Sequence, residues 1–353
     1  MYKKIMEQEN LFDNLVAQKP KCNVDPRMLK TILEHYQKEG FPYQKLSDHE
    51  KLQEFVELME LETPKIMDKT FISNSTGVAL ANFYHPHRYE VVCNNHKTAI
   101  SVFKRQWQLE RCIKKCIALS GSVDDAKLRS MLSIFEGTQV ASNFPPGTAK
   151  MIYDYFLPSG GCIWDMSCGF GGRLLAALSL KNIHYHGTDP STKTFYGLRK
   201  MCNDLKTLGL EFMIPQIFNQ GSEIDLPIED KSIDFCFTSP PYFDTEKYAL
   251  EDTQSYKAYP YPSIWIKKFI GGTAENCHRV LKQNHLVALN IANVKSFPNL
   301  EKETVKEFCL HGFVLDDTYF LAYSMMPGRG KKNKQFESGK QYRKEPIFIF
   351  RKQ

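Results

Sequence analysis

A serine, two prolines and a tyrosine directly follow an apolar strand pattern near the middle of the chain. They are Ser239, Pro240, Pro241 and Tyr242, and they come after the stretch IDFCFT, which ends at Thr238. The prolines fix the backbone and remove amide donors, so the Ser239 hydroxyl and the Pro240 carbonyl can both accept from one NH2 group. The Tyr242 ring can stack on the flat group that carries this amine, as it would on a base rotated out of a duplex. A plain strand with a proline-rich turn is the alternative interpretation.

A glycine-rich turn follows an earlier apolar strand at residues 162–165. The turn runs from Asp165 through Gly169 and Gly171 into a helical pattern. Glycines in such a turn let the backbone approach a ligand near a helix N-terminus, although a tight strand-to-helix connection has the same composition. The next strand ends at Asp189, about 20 residues beyond the turn, where a carboxylate can accept from both ribose hydroxyls of an adenosine.

Two further acids, Glu223 and Asp225, follow the third strand pattern. Either carboxylate could accept a hydrogen bond from the amino group of an adenine. Ligand-type residues therefore follow four successive strands. In a parallel sheet these strand ends share one edge, which indicates a single binding site there.

The elements that would position these residues alternate along the chain. Short apolar strands separated by helical stretches lie at residues 162–165, 183–189, 213–218, 232–239 and 285–292. This alternation predicts an α/β fold with a doubly wound parallel sheet. Two later strand patterns, at 313–324 and 345–352, have no helix between them and predict an antiparallel ribbon that finishes the sheet.

The first part of the chain has the pattern of amphipathic helices instead. Asp25 followed by Pro26 indicates a helix start, Ser47 and Glu50 have the spacing of a capping box, and a further helix begins after Asp124. We therefore predict a mainly helical accessory or recognition region over residues 1–137 and a catalytic domain over residues 138–353.

Together these motifs resemble S-adenosylmethionine-dependent DNA amino-methyltransferases. The Ser-Pro-Pro-Tyr form of the tetrad is similar to that of the N4-cytosine enzymes, whereas the tetrad of the adenine-N6 enzymes more often begins with Asp or Asn. The segment 142–146, which contains Phe144, is similar to the segment of that family that closes over the methionine end of the cofactor. The resemblance covers about residues 140–353. It implies a seven-stranded, Rossmann-like methyltransferase sheet with antiparallel terminal strands, S-adenosylmethionine as the cofactor, and double-stranded DNA with a flipped base as the partner.

The resemblance also implies roles for single residues. It assigns Asp165, Gly169 and Gly171 to the methionine part of the cofactor, and Asp189 to its ribose. Asp225 or Glu223 would hold the adenine amino group. The full set of implied cofactor contacts is Phe144, Asp165, Gly169, Gly171, Asp189, Glu223, Asp225 and Thr238, and the base would be held by Ser239, Pro240, Pro241 and Tyr242. The glycine-rich turn departs from the common family pattern in carrying Met166 where proline is usual, and Cys168 lies within it.

Two basic surfaces are candidates for binding a nucleic acid. The first lies in the helical region and comprises Lys104, Arg105 and Arg111, beside Trp107. The second is the loop 325–345, with Arg329, Lys331, Lys332 and Lys334. Cations bind phosphates and aromatic rings stack on bases, but a solvated basic face has the same composition. The net charge of +6 permits a polyanionic partner without requiring one.

Composition narrows the class of protein further. No apolar run approaches a membrane span, the N-terminus has no apolar signal core, and the ten cysteines are scattered, as in proteins of a reducing compartment. We therefore expect a cytoplasmic or nucleoid-associated protein without membrane contact. The cluster of His85, His87, Cys93 and His96 matches no common zinc spacing, so we expect no metal.

Several alternatives are open at this stage. Adenine-N6 methylation of DNA presents the same two amine hydrogens to the tetrad, and a guanine-N2 methyltransferase of RNA would also use a basic region. A catalytically silent nucleic-acid-binding partner is a further class. The loop from Asp244 to Tyr261, rich in tyrosine, is either a lid over the base or a covering of the core edge.

Overall fold

The computed structural model describes residues 24–64, 66–324 and 342–353. Within them the chain forms two compact units. The helical unit contains residues 24–44 and 95–140, and the sheet unit contains residues 45–64, 66–94, 141–324 and 342–353.

The α-helices of the described residues are α1 Pro26–Glu39, α2 Asp48–Met59, α3 Val78–Phe83, α4 Ala99–Phe103, α5 Gln106–Ser120, α6 Asp125–Glu136, α7 Pro146–Phe156, α8 Gly172–Leu178, α9 Thr192–Thr207, α10 Ser255–Ala258, α11 Pro262–Trp265, α12 Gly271–Val280 and α13 Leu300–Leu310. A 3-10 helix covers Pro86–Glu90 and a π-helix covers Ile266–Ile270. The strands are β1 Thr70–Ile72, β2 Val92–Cys93, β3 Gly161–Asp165, β4 Ile183–Thr188, β5 Gln216–Phe218, β6 Ile233–Thr238, β7 Glu246–Lys247, β8 Leu281–Asn290, β9 Phe313–Ser324 and β10 Tyr342–Lys352. No helix in the described ranges is both long and apolar enough to span a bilayer.

The helical unit is built from α1, α4, α5 and α6. The Asp25 side chain caps α1 by accepting from the Arg27 N–H, with Pro26 in the first turn, and Asp124 caps α6 in the same way. The apolar faces of α1, α5 and α6 meet in one core, which includes Leu33, Ile113 and Leu128. Amphipathic spacing therefore accounts for this unit.

The sheet unit contains an eight-stranded sheet in the order β1-β9-β10-β8-β6-β3-β4-β5. Only β10 runs antiparallel to its neighbours β8 and β9 within this sheet. The predicted doubly wound α/β fold with antiparallel terminal pairing is confirmed. The sheet has one strand more than the seven that the family resemblance implies, because β1 joins β9 in parallel at the edge.

Residues 45–94 belong to the sheet unit, whereas the sequence pattern placed them in the accessory region. Besides the pairing of β1, a buried lysine on α7 ties α2 to this unit: Lys150 Nζ donates to the carbonyls of Leu58, Met59 and Leu61 at 3.0, 2.7 and 2.9 Å. Carbonyls at a helix end have no partner within the helix, so a buried cation that satisfies them holds the helix in place.

The sheet separates two apolar cores, and β6 contributes to both. Phe235 and Phe237 pack on one face with Leu174 of α8, while Cys236 packs on the other with Trp265. Successive side chains of a strand point to opposite faces, which is why this strand is apolar at nearly every position. Its C-terminal end is therefore held rigidly by packing on both sides.

Candidate active site

The strands β3, β4, β6 and β8 end at one edge of the sheet, because they are parallel. Asp165 ends β3, Asp189 follows β4, and Ser239 follows β6. Open α/β sheets bind ligands in the crevice at this edge. The fold thus gathers the strand-end residues that the sequence singled out.

Asp165 is fully buried at the centre of this edge. Its Oδ2 accepts from Arg173 Nε and from the Tyr185 hydroxyl, both at 2.8 Å, and its Oδ1 accepts from the Thr238 hydroxyl at 2.9 Å and the Ser167 N–H at 3.2 Å. Two carboxylate oxygens have about four acceptor positions. The carboxylate is therefore saturated by protein donors, and its direct effect is to join β3, β4, β6 and α8.

Arg173 is the residue that sequence reasoning missed at this point. It is buried, it forms the ion pair with Asp165, and its guanidinium lies 5.3 Å from the centre of the Phe144 ring. Burial alone would lower the pKa of Arg173, but the charge of Asp165 outweighs it and raises that pKa above its usual value. An arginine in the first turn of an otherwise apolar helix was the available signal.

The glycine-rich turn has an open side and a packed side. Gly169 has φ +56°, and a Cβ there would meet only the Ser167 carbonyl, at 3.9 Å, so its outer face is free. At Gly172 a Cβ would lie 1.8 Å from the Phe144 carbonyl oxygen. Glycine is required at the first position by conformation and at the second by close contact. The segment containing Phe144 is thereby held against the turn.

Asp189 lies beside the open glycine. Its Oδ2 accepts from the Gly169 N–H and its Oδ1 from the Ser191 N–H, each at 2.9 Å. Burial raises the pKa of Asp189 to about 7, although these two N–H groups act in the opposite direction. A buried carboxyl group at a strand end whose pKa lies near 7 is a strong candidate for ligand binding.

The structure distinguishes the two acids that sequence analysis left open. The side chain of Asp225 is 93% exposed and lies 3.5 Å from Arg279 Nη2. Glu223 is largely buried, and its Oε2 has no hydrogen-bond partner among the described residues. Burial raises the pKa of Glu223, while a hydrogen bond with Tyr259 lowers it. An unsatisfied buried acceptor calls for a donor, so Glu223 is the better candidate for ligand contact.

The tetrad is anchored through the hydroxyl of Tyr242. This hydroxyl donates to the Asn290 carbonyl at 3.2 Å and lies 3.5 Å from Glu345 Oε2. Burial raises the pKa of Tyr242, and so does the charge of Glu345, whereas a hydrogen bond from Ser239 lowers it. Asn290 and Glu345 lie on β8 and β10, and neither carries a sequence signal because the contact depends on the pairing of distant strands.

The loop after the tetrad is tied to the sheet unit by backbone pairing. β7 pairs with β2 in an antiparallel manner, and the Asn94 N–H donates to the Thr245 carbonyl at 2.7 Å. The Tyr248 hydroxyl donates to Glu246. For the first part of this loop, these contacts favour the interpretation that it covers the edge of the core and not that it is a mobile lid.

The histidines with metal-like spacing are packed among aromatic rings. His85 and His87 are buried and lie 5.8 and 5.5 Å from Phe170, between ring centres. Burial lowers the pKa of each to about 4. Within the described residues, no group of three or more potential ligands is arranged to hold a metal ion.

The predicted nucleic-acid contacts fall into two groups. Arg329, Lys331, Lys332 and Lys334 lie outside the described residues. Lys104 and Arg105 are exposed at the α4–α5 junction of the helical unit. Arg111 donates to Glu136 Oε1 at 2.6 Å, and its guanidinium lies 5.3 Å from the Trp107 ring. Glu136 therefore neutralises part of the positive charge of this candidate surface.

Comparison with known proteins gives limited similarity. No family model matches the chain. Over an alignment of 154 residues the chain is 26% identical to the methylase subunit of the type I restriction enzyme MjaIX from Methanocaldococcus jannaschii, and the match covers 37% of this chain and 26% of that subunit. A methyltransferase structure from Pyrococcus furiosus aligns with a TM-score of 0.37 and 15% identity, covering 64% of this chain and 93% of the other. A SAM-dependent methyltransferase from Methanosarcina mazei aligns with a TM-score of 0.37 and 15% identity, covering 57% and 96%.

Proposed function

We propose that this chain transfers a methyl group from S-adenosylmethionine to the exocyclic amine of a flipped DNA base, with cytosine N4 as the target. The observation that carries the proposal is that the Ser239–Tyr242 tetrad stands at the same sheet edge as Asp189 and the open Gly169. The proposed adenosine site and the proposed amine site would thereby lie next to each other. The similarity of one segment to a restriction methylase subunit supports DNA as the substrate class.

The residues on the cofactor side fit S-adenosylmethionine. Gly169 leaves space for close approach, Asp189 offers a carboxylate for the ribose hydroxyls, and the unpartnered oxygen of Glu223 can accept from the adenine amine. Phe144 would line the same pocket. The Thr238 hydroxyl donates a hydrogen bond to Asp165. These two residues would therefore hold the strand ends in place rather than accept hydrogen bonds from the cofactor.

The chemical difficulty lies with the amine, because its lone pair is delocalised into the base. S-adenosylmethionine supplies an electrophilic methyl group on sulfur. Ser239 Oγ and the Pro240 carbonyl would accept the two amine hydrogens, which favours a pyramidal nitrogen and directs its lone pair at the methyl carbon. The nitrogen–carbon bond forms as the sulfur–carbon bond breaks, and one amine proton then passes to water. Tyr242 would stack on the base, and Pro241 keeps the turn rigid.

Identification of the methylated nucleoside tests the proposal. The purified protein is incubated with cofactor labelled in the methyl group and with duplex DNA, single-stranded DNA or RNA, and the digested nucleosides are identified by mass. We expect N4-methylcytosine from DNA. N6-methyladenine from DNA or N2-methylguanine from RNA would replace the proposed target, and absence of label from every nucleic acid would favour a catalytically silent binding partner.

The neighbouring acids provide a matched pair for testing the adenine contact. Glu223→Ala should weaken the binding of S-adenosylhomocysteine about 10-fold, because a hydrogen bond to a buried charged acceptor is lost. Asp225→Ala should change affinity less than about 2-fold, since that side chain is 93% exposed and its partner Arg279 keeps its bonds to Asp230 and to the Leu226 and Ile228 carbonyls. Isothermal titration calorimetry measures both. The reverse order of effects would assign the contact to Asp225.

Cofactor affinity should depend on pH through Asp189. The ionised carboxylate is the stronger acceptor for ribose hydroxyls, so affinity is full above the pKa of about 7 and falls as pH drops through it. Between pH 8 and pH 6 we expect roughly a 10-fold loss for the wild type. Asp189→Asn should bind more weakly and with a flat profile over this range. A variant that retained the wild-type pH dependence would assign the titration to another group.

A further inference from the structure

A buried amide on the loop after the tetrad has no hydrogen-bond partner for its nitrogen. Gln254 is 5% exposed, and its Nε2 makes no hydrogen bond to any residue that the structure describes. It stands at the N-cap position of α10, yet its side chain does not cap that helix. A primary amide nitrogen has two hydrogens to donate, and burying them unpaired costs free energy. Such a donor calls for an acceptor that this part of the protein does not supply.

The residues just before this glutamine are held against the end of β4. The Glu251 carboxylate accepts from the Thr192 N–H at 3.2 and 3.1 Å, and the Thr253 hydroxyl donates to the Pro190 carbonyl at 3.2 Å. Both partners lie within three residues of Asp189, the proposed acceptor for the ribose hydroxyls. The unpaired amide therefore belongs to a segment that lies beside the proposed adenosine site.

The helical run formed by α11, the π-helix and α12 packs next to both Gln254 and Glu223. Trp265 Nε1 donates to the hydroxyl of Ser255, the residue after Gln254, at 3.1 Å. Further along the run, a Cβ at Gly272 would lie 2.9 Å from the Glu223 Cβ. These two contacts are roughly two helical turns apart. The unpaired amide and the unpaired carboxylate oxygen therefore lie along one wall of the site.

The two unpaired groups have opposite polarity. Glu223 Oε2 lacks a donor and Gln254 Nε2 lacks an acceptor, and they do not bond to each other. Adenine presents an amine donor beside a ring-nitrogen acceptor, which is N1 on one edge and N7 on the other. Guanine and hypoxanthine carry a carbonyl acceptor in place of that amine. A protein acceptor paired with a protein donor is thus complementary to adenine and not to the other two purines.

We propose that Gln254 is a cofactor-binding residue whose amide donates to a ring nitrogen of the adenine, while Glu223 accepts from the adjacent amine. The inference rests on the proposed function and deepens it, because it names a second side chain that selects adenine. It also makes the loop after the tetrad part of the cofactor site. Tyr242 and Gln254 stand at the start and in the middle of one short segment, so a single segment would hold both the base and the cofactor.

Calorimetry with S-adenosylhomocysteine tests the contact. Gln254→Met keeps the length of the side chain and removes the amide, and it should weaken binding about 10-fold. Unfolding in urea without ligand should have a midpoint no lower than that of wild type, because the variant removes an unpaired buried donor. Binding within about 2-fold of wild type would overturn the inference.

Two analogues of the ligand identify the atom that the amide reads. In 1-deaza- and 7-deaza-S-adenosylhomocysteine, a CH group replaces one ring nitrogen of the adenine. Wild type should bind one of these analogues about 10-fold more weakly than the parent compound, and Gln254→Met should bind that analogue and the parent about equally. Unchanged affinity of wild type for both analogues would overturn the inference, whether or not the variant folds. Losses that add in the variant would give Gln254 a structural role instead.

Lys257→Met is the matched control. It places the same side chain three residues further along the loop, where it removes the lysine's bonds to the Leu250 carbonyl and to Asp252. It should leave the affinity within about 2-fold of wild type. A loss equal to that of Gln254→Met would indicate a general loosening of the loop and would count against the direct contact.

Methyl transfer measured on the same proteins separates failure of this inference from failure of the proposed function. The expected pattern of affinities in a protein that methylates no nucleic acid would uphold the adenine contact and reject the proposed function. A protein that methylates DNA but binds S-adenosylhomocysteine equally well with and without the Gln254 amide would do the reverse. A wild type that does not bind S-adenosylhomocysteine would reject both.

Discussion

Tyr242→Ala lowers the rate of methyl transfer more than about 100-fold and leaves the affinity for S-adenosylhomocysteine within about 2-fold of wild type. Two losses combine in this variant. The base loses its stacking partner, and the tetrad loses the hydrogen bond by which the Tyr242 hydroxyl holds it to the Asn290 carbonyl. The cofactor side is spared, because Asp189 and Gly169 have no contact with Tyr242 among the hydrogen bonds of the described residues.

Single-turnover kinetics and calorimetry measure the two effects separately. Tyr261→Ala is the matched control, since Tyr261 lies on the loop that follows the tetrad and is 65% exposed. It should change neither quantity by more than about 2-fold. Parallel losses of rate and cofactor affinity in Tyr242→Ala would show that the ring supports the fold rather than the base.

Arg173→Met should lower the free energy of unfolding by about 3–5 kcal/mol. This is the largest effect on stability that we expect from a single substitution at the site. The change leaves the carboxylate of Asp165 fully buried without its cation. Methionine retains much of the volume of the side chain, so the loss reports mainly on the unpaired charge. Urea unfolding followed by circular dichroism gives the difference in free energy.

Two further variants test whether the loss of stability comes from the unpaired buried charge of Asp165. Arg199→Met removes an exposed arginine that lies over the Phe195 ring, and should cost less than about 0.5 kcal/mol. Adding Asp165→Asn to Arg173→Met removes the buried charge as well and should restore part of the lost stability. If the double variant were less stable than Arg173→Met, the carboxylate would contribute mainly through its bonds to Tyr185 and Thr238.

The strand ends of the site were predictable because each depends on local pattern. The apolar stretch before Ser239 and the alternation of strands and helices predict a parallel sheet, and parallel strands bring their C-terminal ends to one edge. The spacing from the glycine-rich turn to Asp189 is likewise a local signal. These residues are adjacent in the structure for reasons that the chain order already contains.

Other parts of the site depend on contacts between distant segments. Glu345 meets Tyr242 only because β10 inserts between β8 and β9, and β1 was missed because its three residues are too short for a periodic pattern. The choice between Glu223 and Asp225 depends on Arg279, which reaches Asp225 from α12. Contacts between distant segments such as these cannot be predicted from the periodicity or the spacing of residues in the sequence.

The pairing of β2 with β7 has a consequence for how this chain could diversify. The segment 95–140 of the helical unit follows Asn94 of the sheet unit, and the chain returns to the sheet unit at Ala141; Cys93 and Ala141 share a small apolar cluster with Phe170. Joining two points that are already neighbours costs an inserted segment little loop-closure entropy, and this cost grows only slowly with length. Evolution or a protein engineer could therefore exchange the insert for one of different size without shifting the register of any strand that carries the site, provided that the new insert also covers the apolar face of α1.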